Sequence, residues 1–182
     1  MVQVEKIGGT SMSNMEAVLN NIVFFGNPPQ LRNRVFVVSA YAGVTNALLE
    51  NRKTGSPGIY TAFCERNNWQ GMLSEVKGQL IRINESFSPL GLNLSEAADF
   101  LDKRFARVTH YLQNLSEVLA SGYVPSENIF SAAREMLASI GEAHSAFNMQ
   151  LLIRQRGATC YLADLGGAQA ICFAGGIGEN AP

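Results

Sequence analysis

The stretch that most constrains this chain is Val2-Gln3-Val4-Glu5-Lys6-Ile7-Gly8-Gly9-Thr10-Ser11-Met12. Val2, Val4 and the Lys6 stem alternate as a half-buried strand requires. Gly8 and Gly9 then let the backbone take φ > 0 and come close to a ligand. Thr10, Ser11 and Ser13 are hydroxyl residues suited to an N-cap. Met15, Val18, Leu19 and Ile22 follow at helical spacing. Strand, glycine turn and helix start together place backbone N–H groups at a helix N-terminus beside the Lys6 ammonium, which is an anion site. The lysine precedes the glycines, so this is not a Walker A loop. A plain glycine turn with a solvated Lys6 accounts for the spacing equally well.

A second loop raises the weight of the first. After a break at Gly26-Asn27-Pro28-Pro29, the stretch from Arg34 to Ala40 contains a continuous β-branched and aromatic run, Val35-Phe36-Val37-Val38. It predicts a strand covered on both faces in a parallel sheet, the second strand of a right-handed βαβ unit. It ends in Ser39-Ala40-Tyr41-Ala42-Gly43-Val44-Thr45-Asn46, another small-residue loop opening a helix. Ligands of open parallel sheets bind at the carboxyl ends of the strands. If the two strands are neighbours, Lys6, Gly8 and Gly9 share a crevice with Ser39 and Thr45. Taken singly, Ser39 and Thr45 are explained as well by capping.

Composition narrows the function classes. The chain has 182 residues, room for one domain with a sizeable core or a domain plus a remnant. Its net charge of −1 favours neither nucleic acid nor an anionic membrane. No apolar run reaches transmembrane length, and the N-terminus has no signal-peptide pattern. Cys64, Cys160 and Cys172 are odd in number and lack CxxC spacing, which argues against a disulfide framework or a zinc site and fits a reducing cytosol. His110 and His144 have no ligand-like spacing, so no protein-held metal is expected.

Residues 51–70 read as irregular around Gly55-Ser56-Pro57-Gly58, with Trp69 as a packing or surface residue. Met72, Val76, Leu80, Ile83 and Phe87 mark an amphipathic helix ended by Ser88-Pro89-Leu90-Gly91. A longer helix from Ser95 carries Leu101, Phe105, Val108, Leu112, Leu115 and Leu119. It reads as packing on its own domain, because the stripe is little longer than three heptads. A third helix carries Ile129, Ala133, Met136, Leu137 and Ile140 and runs through Leu152 to a C′ glycine at Gly157. On it Glu142, Ser145 and Asn148 fall roughly on one side. That side is either solvated, or it turns Glu142 into the crevice to accept from a ligand ammonium. Ala158 to Leu165 reads as a third strand.

These loops, in this order, resemble the start of an aspartate kinase, a member of the amino-acid kinase family. Lys6-Ile7-Gly8-Gly9-Thr10-Ser11 is similar to that family's Lys-Phe-Gly-Gly-Thr-Ser, with Ile7 in place of Phe. Val37 to Asn46 matches its Val-Val-Ser-Ala-x-x-Gly-x-Thr-Asn loop. Gly141-Glu142-Ala143-His144-Ser145 matches a Gly-Glu-x-x-Ser element heading a helix. Lys6-Ile7-Gly8-Gly9 and Arg134 to Ser139 resemble the branch associated with ectoine biosynthesis. The resemblance implies an α/β fold, a three-layer α/β/α sandwich with a mainly parallel sheet. It implies ATP-dependent phosphorylation of the β-carboxylate of L-aspartate, with Mg2+ arriving with the nucleotide. Lys6 is then the catalytic cation, and Gly8, Gly9 and Ser11 join it as phosphate-binding residues. Ser39, Ala40, Thr45 and Glu142 hold the amino acid. In-line phosphoryl transfer depends on positioning and charge neutralisation, so no Ser/His/Asp arrangement is needed.

The resemblance covers residues 1–167, the substrate-binding part of such a catalytic domain. The later Arg-Gly-Gly-Ser-Asp-like loop, the nucleotide lobe and the regulatory domains are not found, so the fold is expected to be incomplete and turnover impaired. The exposed side of the sheet is then expected to leave an apolar patch, giving a homo-oligomer or another association there. Residues 168–182 resemble instead the Phe-Thr-Gly-Gly-Ile-Gly-Glu-Asn element of acetate kinases, read as a strand and a glycine turn. Gly175, Gly176 and Gly178 are candidates for a makeshift phosphate loop, or the tail does nothing. Two alternatives to an aspartate kinase remain: a non-catalytic half-kinase module that binds aspartate or an anion, and an acetate kinase-related carboxylate kinase.

Overall fold

The computed structural model describes residues 1–26, 31–51, 53–164 and 170–177, with backbone alone for 164 and 170–177. The alternating start forms β1, Gln3–Ile7, and the β-branched run forms β2, Arg34–Val38. They pair in parallel, with Lys6 beside Val37 and Ile7 beside Val38. The connection between them is broken into short pieces: α1 (Gly9–Met12), α2 (Met15–Val18) and a π-turn at Leu19–Val23. Asn14 caps α2 by accepting from the Ala17 N–H at 3.2 Å. Arg34 closes the π-turn, donating to the carbonyls of Ile22 and Val23 at 2.7 Å each while pairing with Glu5 at 2.6 Å. The wide turn leaves carbonyls that a buried guanidinium satisfies.

After β2 come α3 (Val44–Leu48), α4 (Ile59–Cys64), α5 (Trp69–Ser86), α6 (Leu94–Ser121) and α7 (Ser126–Gln155). The α4 helix lies where the sequence predicts irregular chain. It has fewer than two turns and no side-chain cap, so it leaves no periodic signal, yet it buries Ile59, Ala62 and Phe63. Trp69 is a packing residue, edge-on to Phe63. The apolar stripe of α6 packs on α7 and α5 within the same core, as expected. Gly157, at φ 82°, ends the last helix in the left-handed conformation expected of a C′ glycine.

The chain then forms β3 (Ala158–Asp164) and β4 (Ala170–Ile177). The sheet order is β1-β2-β4-β3, and β4 runs antiparallel to both of its neighbours. The parallel pairing foreseen from the βαβ order is thus present in β1–β2, and the rest of the sheet is antiparallel. The tail supplies β4, which lies inside the sheet.

Burial shows how many layers are present. Ile7, Phe36, Val38 and Cys160 are buried and share one face by register. On the other face Val4 is 64 % exposed and Tyr161 57 % exposed, with Lys6 exposed and Val35 and Val37 half-buried. The helices therefore cover one face. Two of the three layers of an α/β/α sandwich are described, as suits an incomplete α/β fold. The expectation that β2 is covered on both faces holds only in part, because Val35 and Val37 are half-buried where Phe36 and Val38 are buried.

Cys64 is a free thiol, whereas Cys160 is disulfide-bonded, a cross-link that the cysteine spacing did not announce. No helix among the described residues is long and apolar enough to cross a membrane.

Candidate functional site

The first glycine turn works by closeness. Gly8 is extended, at φ −76° and ψ 161°, and neither Gly8 nor Gly9 has positive φ. The freedom to take φ > 0 is therefore unused here. Gly9 is needed because a Cβ there would stand 2.6 Å from the carbonyl oxygen of Ala40. The expected hydroxyl cap is also replaced. Gly8 takes the N-cap position with no side-chain bond, and Thr10 and Ser11 sit exposed inside α1. Ser13 instead ties the two loops together: its Oγ donates to the Gly9 carbonyl at 3.2 Å and accepts from the Ala42 N–H at 3.0 Å.

The second loop continues the parallel ladder, with the Ser39 N–H donating to the Ile7 carbonyl at 3.0 Å. Ala40 and Tyr41 are buried, and Gly43 at φ 83° opens α3. Here a left-handed glycine is required.

The third signature lies in the middle of α7 and not at a helix head, because Ser126–Gln155 is one uninterrupted helix. Its middle turns cross the end of β2. A Cβ on Gly141 would lie 2.6 Å from the Ala40 Cβ and 3.2 Å from Val44 Cγ1. Ser145 Oγ donates to the Ser39 carbonyl at 2.8 Å. Burial raises the Glu142 carboxyl above its ordinary value, opposed by hydrogen bonds from its own N–H and that of Ala40. Glu142 Oε2 is buried with no hydrogen-bond partner. All three signature stretches thus meet at Ala40.

Beneath the loop lies a buried polar cluster that sequence reasoning missed. Asn148 Nδ2 donates to the Tyr41 hydroxyl at 3.1 Å and to Asn84 Oδ1 at 2.7 Å. His144 Nε2 is 2.7 Å from Asn84 Oδ1. Burial pushes the His144 imidazole down to about 3, so it is neutral at pH 7. His144 Nδ1 and Asn148 Oδ1 have no partner. Asn148 sits three residues beyond Ser145, and that spacing was the only pointer to the cluster.

The structure brings Gly8, Gly9, Ser39, Ala40 and Glu142 to one place. Lys6 is exposed on the open face of the sheet, on the side that register assigns to Val37 and Ser39. Ser11 is exposed on α1. Thr45 lines a neighbouring cleft of 490 Å³ with Asn46, Glu50, Lys53 and Arg134, a lining that includes neither Lys6 nor Glu142. Gly175 and Gly176 are not in a turn but inside β4. Ala174 pairs with Arg34 at the start of β2, so both glycines lie at the end of the sheet remote from Ser39. The reason is the antiparallel direction of β4, whose pairing with β3 extends to Ile177. Gly178 lies outside the described residues. Among the described residues, no group of three or more His, Cys, Asp or Glu side chains could hold a metal ion.

No protein-family model and no solved structure matches the chain. It is 42 % identical over 174 residues to the aspartate kinase Ask_Ect of Stutzerimonas stutzeri (strain A1501). The chain is a homologue of part of an aspartate kinase. The alignment covers 93 % of this chain and 36 % of that protein, so the chain spans little more than a third of the kinase's length. The three stretches that carry the aspartate kinase resemblance are those that converge on Ala40.

Proposed function

We propose that residues 1–167 are the substrate-binding part of an aspartate kinase-like phosphotransferase of amino-acid biosynthesis, of the ectoine-associated branch. The observation that carries this reading is the convergence on Ala40, where Glu142 presents a buried, unpartnered carboxylate oxygen. A carboxylate with a free acceptor in a partly desolvated place suits a substrate ammonium, whose charge would offset the cost of burial. The Ser39 hydroxyl, beside Ala40 and with Thr45 at the margin, would hold the remainder of L-aspartate.

The reaction would be attack of an aspartate β-carboxylate oxygen on the γ-phosphorus of ATP. The bond to the bridging oxygen breaks, ADP leaves with that electron pair, and 4-phospho-aspartate is formed. Space fits a phosphate at the first turn, since nothing lies within 4 Å of a Cβ built on Gly8 and Lys6 is exposed nearby. Lys6 would neutralise charge developing on the transferred group, with Gly8, Gly9 and Ser11 around the phosphates. Mg2+ would enter with ATP and be held by its phosphates. No residue described here is assigned to the adenosine.

A second reading, an aspartate-binding module without turnover, is favoured by the exposure of Lys6 on the sheet face opposite the helices, one of which carries Glu142. An ADP-release assay with aspartate and MgATP, run beside aspartate calorimetry, separates the two. Turnover lost in Lys6→Ala supports the kinase. Binding without turnover, abolished by Glu142→Ala, supports the module. Absence of both defeats the reading at its root. The placement of Gly175 and Gly176 gives the acetate kinase alternative no support.

A further inference from the structure

We propose that Tyr41 is a positioning residue whose hydroxyl, tethered to Asn148 Nδ2 at 3.1 Å, fixes the Ser39–Thr45 loop in its aspartate-receiving shape. This rests on the functional reading above. The other ties on the loop act on its backbone: Ser145 on the Ser39 carbonyl and Ser13 on the Ala42 N–H. Tyr41 is the loop side chain that enters the polar cluster formed by Asn84 on α5 with His144 and Asn148 on α7.

That cluster is a poor device for stability. It leaves His144 Nδ1 and Asn148 Oδ1 buried without partners, a desolvation cost that an apolar filling of the same shape would avoid. What a polar contact supplies and an apolar one does not is direction. The Tyr41 ring is already packed, 5.5 Å from Phe87 and 5.4 Å from His144 between centroids. Ring packing alone would permit sliding of the loop along α7. The hydroxyl bond selects one register, the one in which Ala40 rests on Gly141.

The test is Tyr41→Phe in the full chain, which keeps the ring and removes the tether. Loss of one such bond predicts an aspartate Kd raised about three- to tenfold. Amide hydrogen exchange should accelerate by a similar factor at Ala40, Ala42 and Val44, and stay unchanged in α6 and β3. In an Asn148→Ala background, Tyr41→Phe should add nothing further. Unchanged loop exchange overturns the proposal. So does acceleration spread evenly over the chain, the mark of a merely structural role, or an unaltered aspartate Kd in a loosened loop. If the wild-type chain binds no aspartate, the functional reading fails by itself. The exchange arm then still decides whether Tyr41 holds the loop.

Discussion

Gly9 lies against Ala40 so closely that a Cβ on Gly9 would fall 2.6 Å from the Ala40 carbonyl oxygen. Two loops separated in sequence by a whole βαβ crossover are thereby locked backbone to backbone. Gly9→Ala must push the loops apart, at a cost of about 1–3 kcal/mol. Gly8→Ala is the control. Its φ of −76° suits alanine and open space surrounds the new methyl, so its effect should stay within about 0.5 kcal/mol. Urea unfolding of the two variants distinguishes contact from glycine flexibility. Equal destabilisation would contradict the close approach.

Gly141 gives a sharper test, because two effects oppose each other. In a free helix interior Gly→Ala stabilises by about 1 kcal/mol. Here the new methyl meets Ala40 Cβ at 2.6 Å, and overpacking of about 1–3 kcal/mol should prevail. Gly141→Ala is therefore expected to lower the urea midpoint, and adding Ala40→Gly should restore much of the loss. A stabilised single variant would mean that the helix does not press on the loop.

Glu142 and His144 set opposite pH dependences. Burial raises the Glu142 carboxyl, so the folded chain keeps that proton to higher pH than the unfolded chain. Its contribution is full below the ordinary carboxylate value and is lost as pH rises through the raised folded value. Glu142→Gln should thus gain stability over wild type near neutrality, with the gap closing in acid. His144 behaves in reverse. Its folded value of about 3 lies below the ordinary 6.5, so stability is full above 6.5 and falls as pH drops towards 3. The slope there is about 1.4 kcal/mol per pH unit. His144→Gln should remove about one proton from the acid-unfolding slope, read from urea midpoints over roughly pH 4 to 8.

What could be read in the sequence was whatever repeats with a period or carries a motif. β1, β2 and β3 and the helices α5, α6 and α7 follow from alternation and from stripes such as Leu101, Phe105, Val108 and Leu112. Gly9 and Glu142 could be named from local pattern, and Ala40 from the family resemblance. Their reason could not, since Gly9 is needed for a contact with a residue 31 positions away and not for its own dihedral angles. Tyr41, Asn84 and His144 escaped for the same cause: their partnership spans three elements and leaves no spacing to detect. The direction of β4 was equally hidden, because a glycine-rich run reads as a turn until a neighbouring strand pairs with it.

The open face of the sheet bears on whether the chain stands alone. Val4 and Tyr161 are 64 % and 57 % exposed, and by register they share a face with Val35 and Val37 across the strands between them. An apolar surface of this kind on a sheet is ordinarily covered. We expect the chain to self-associate through it, with sedimentation giving a concentration-dependent mass. Val4→Glu combined with Tyr161→Lys should shift the distribution towards monomer. Because both side chains already face solvent, the monomer should lose no more than about 0.5 kcal/mol of stability per substitution. Charge placed on a free face disperses copies, whereas the same charge under a covering layer unfolds the chain. A wild-type chain that sediments as a monomer at every concentration, unaffected by the charges, would show that this face has no partner among its own copies.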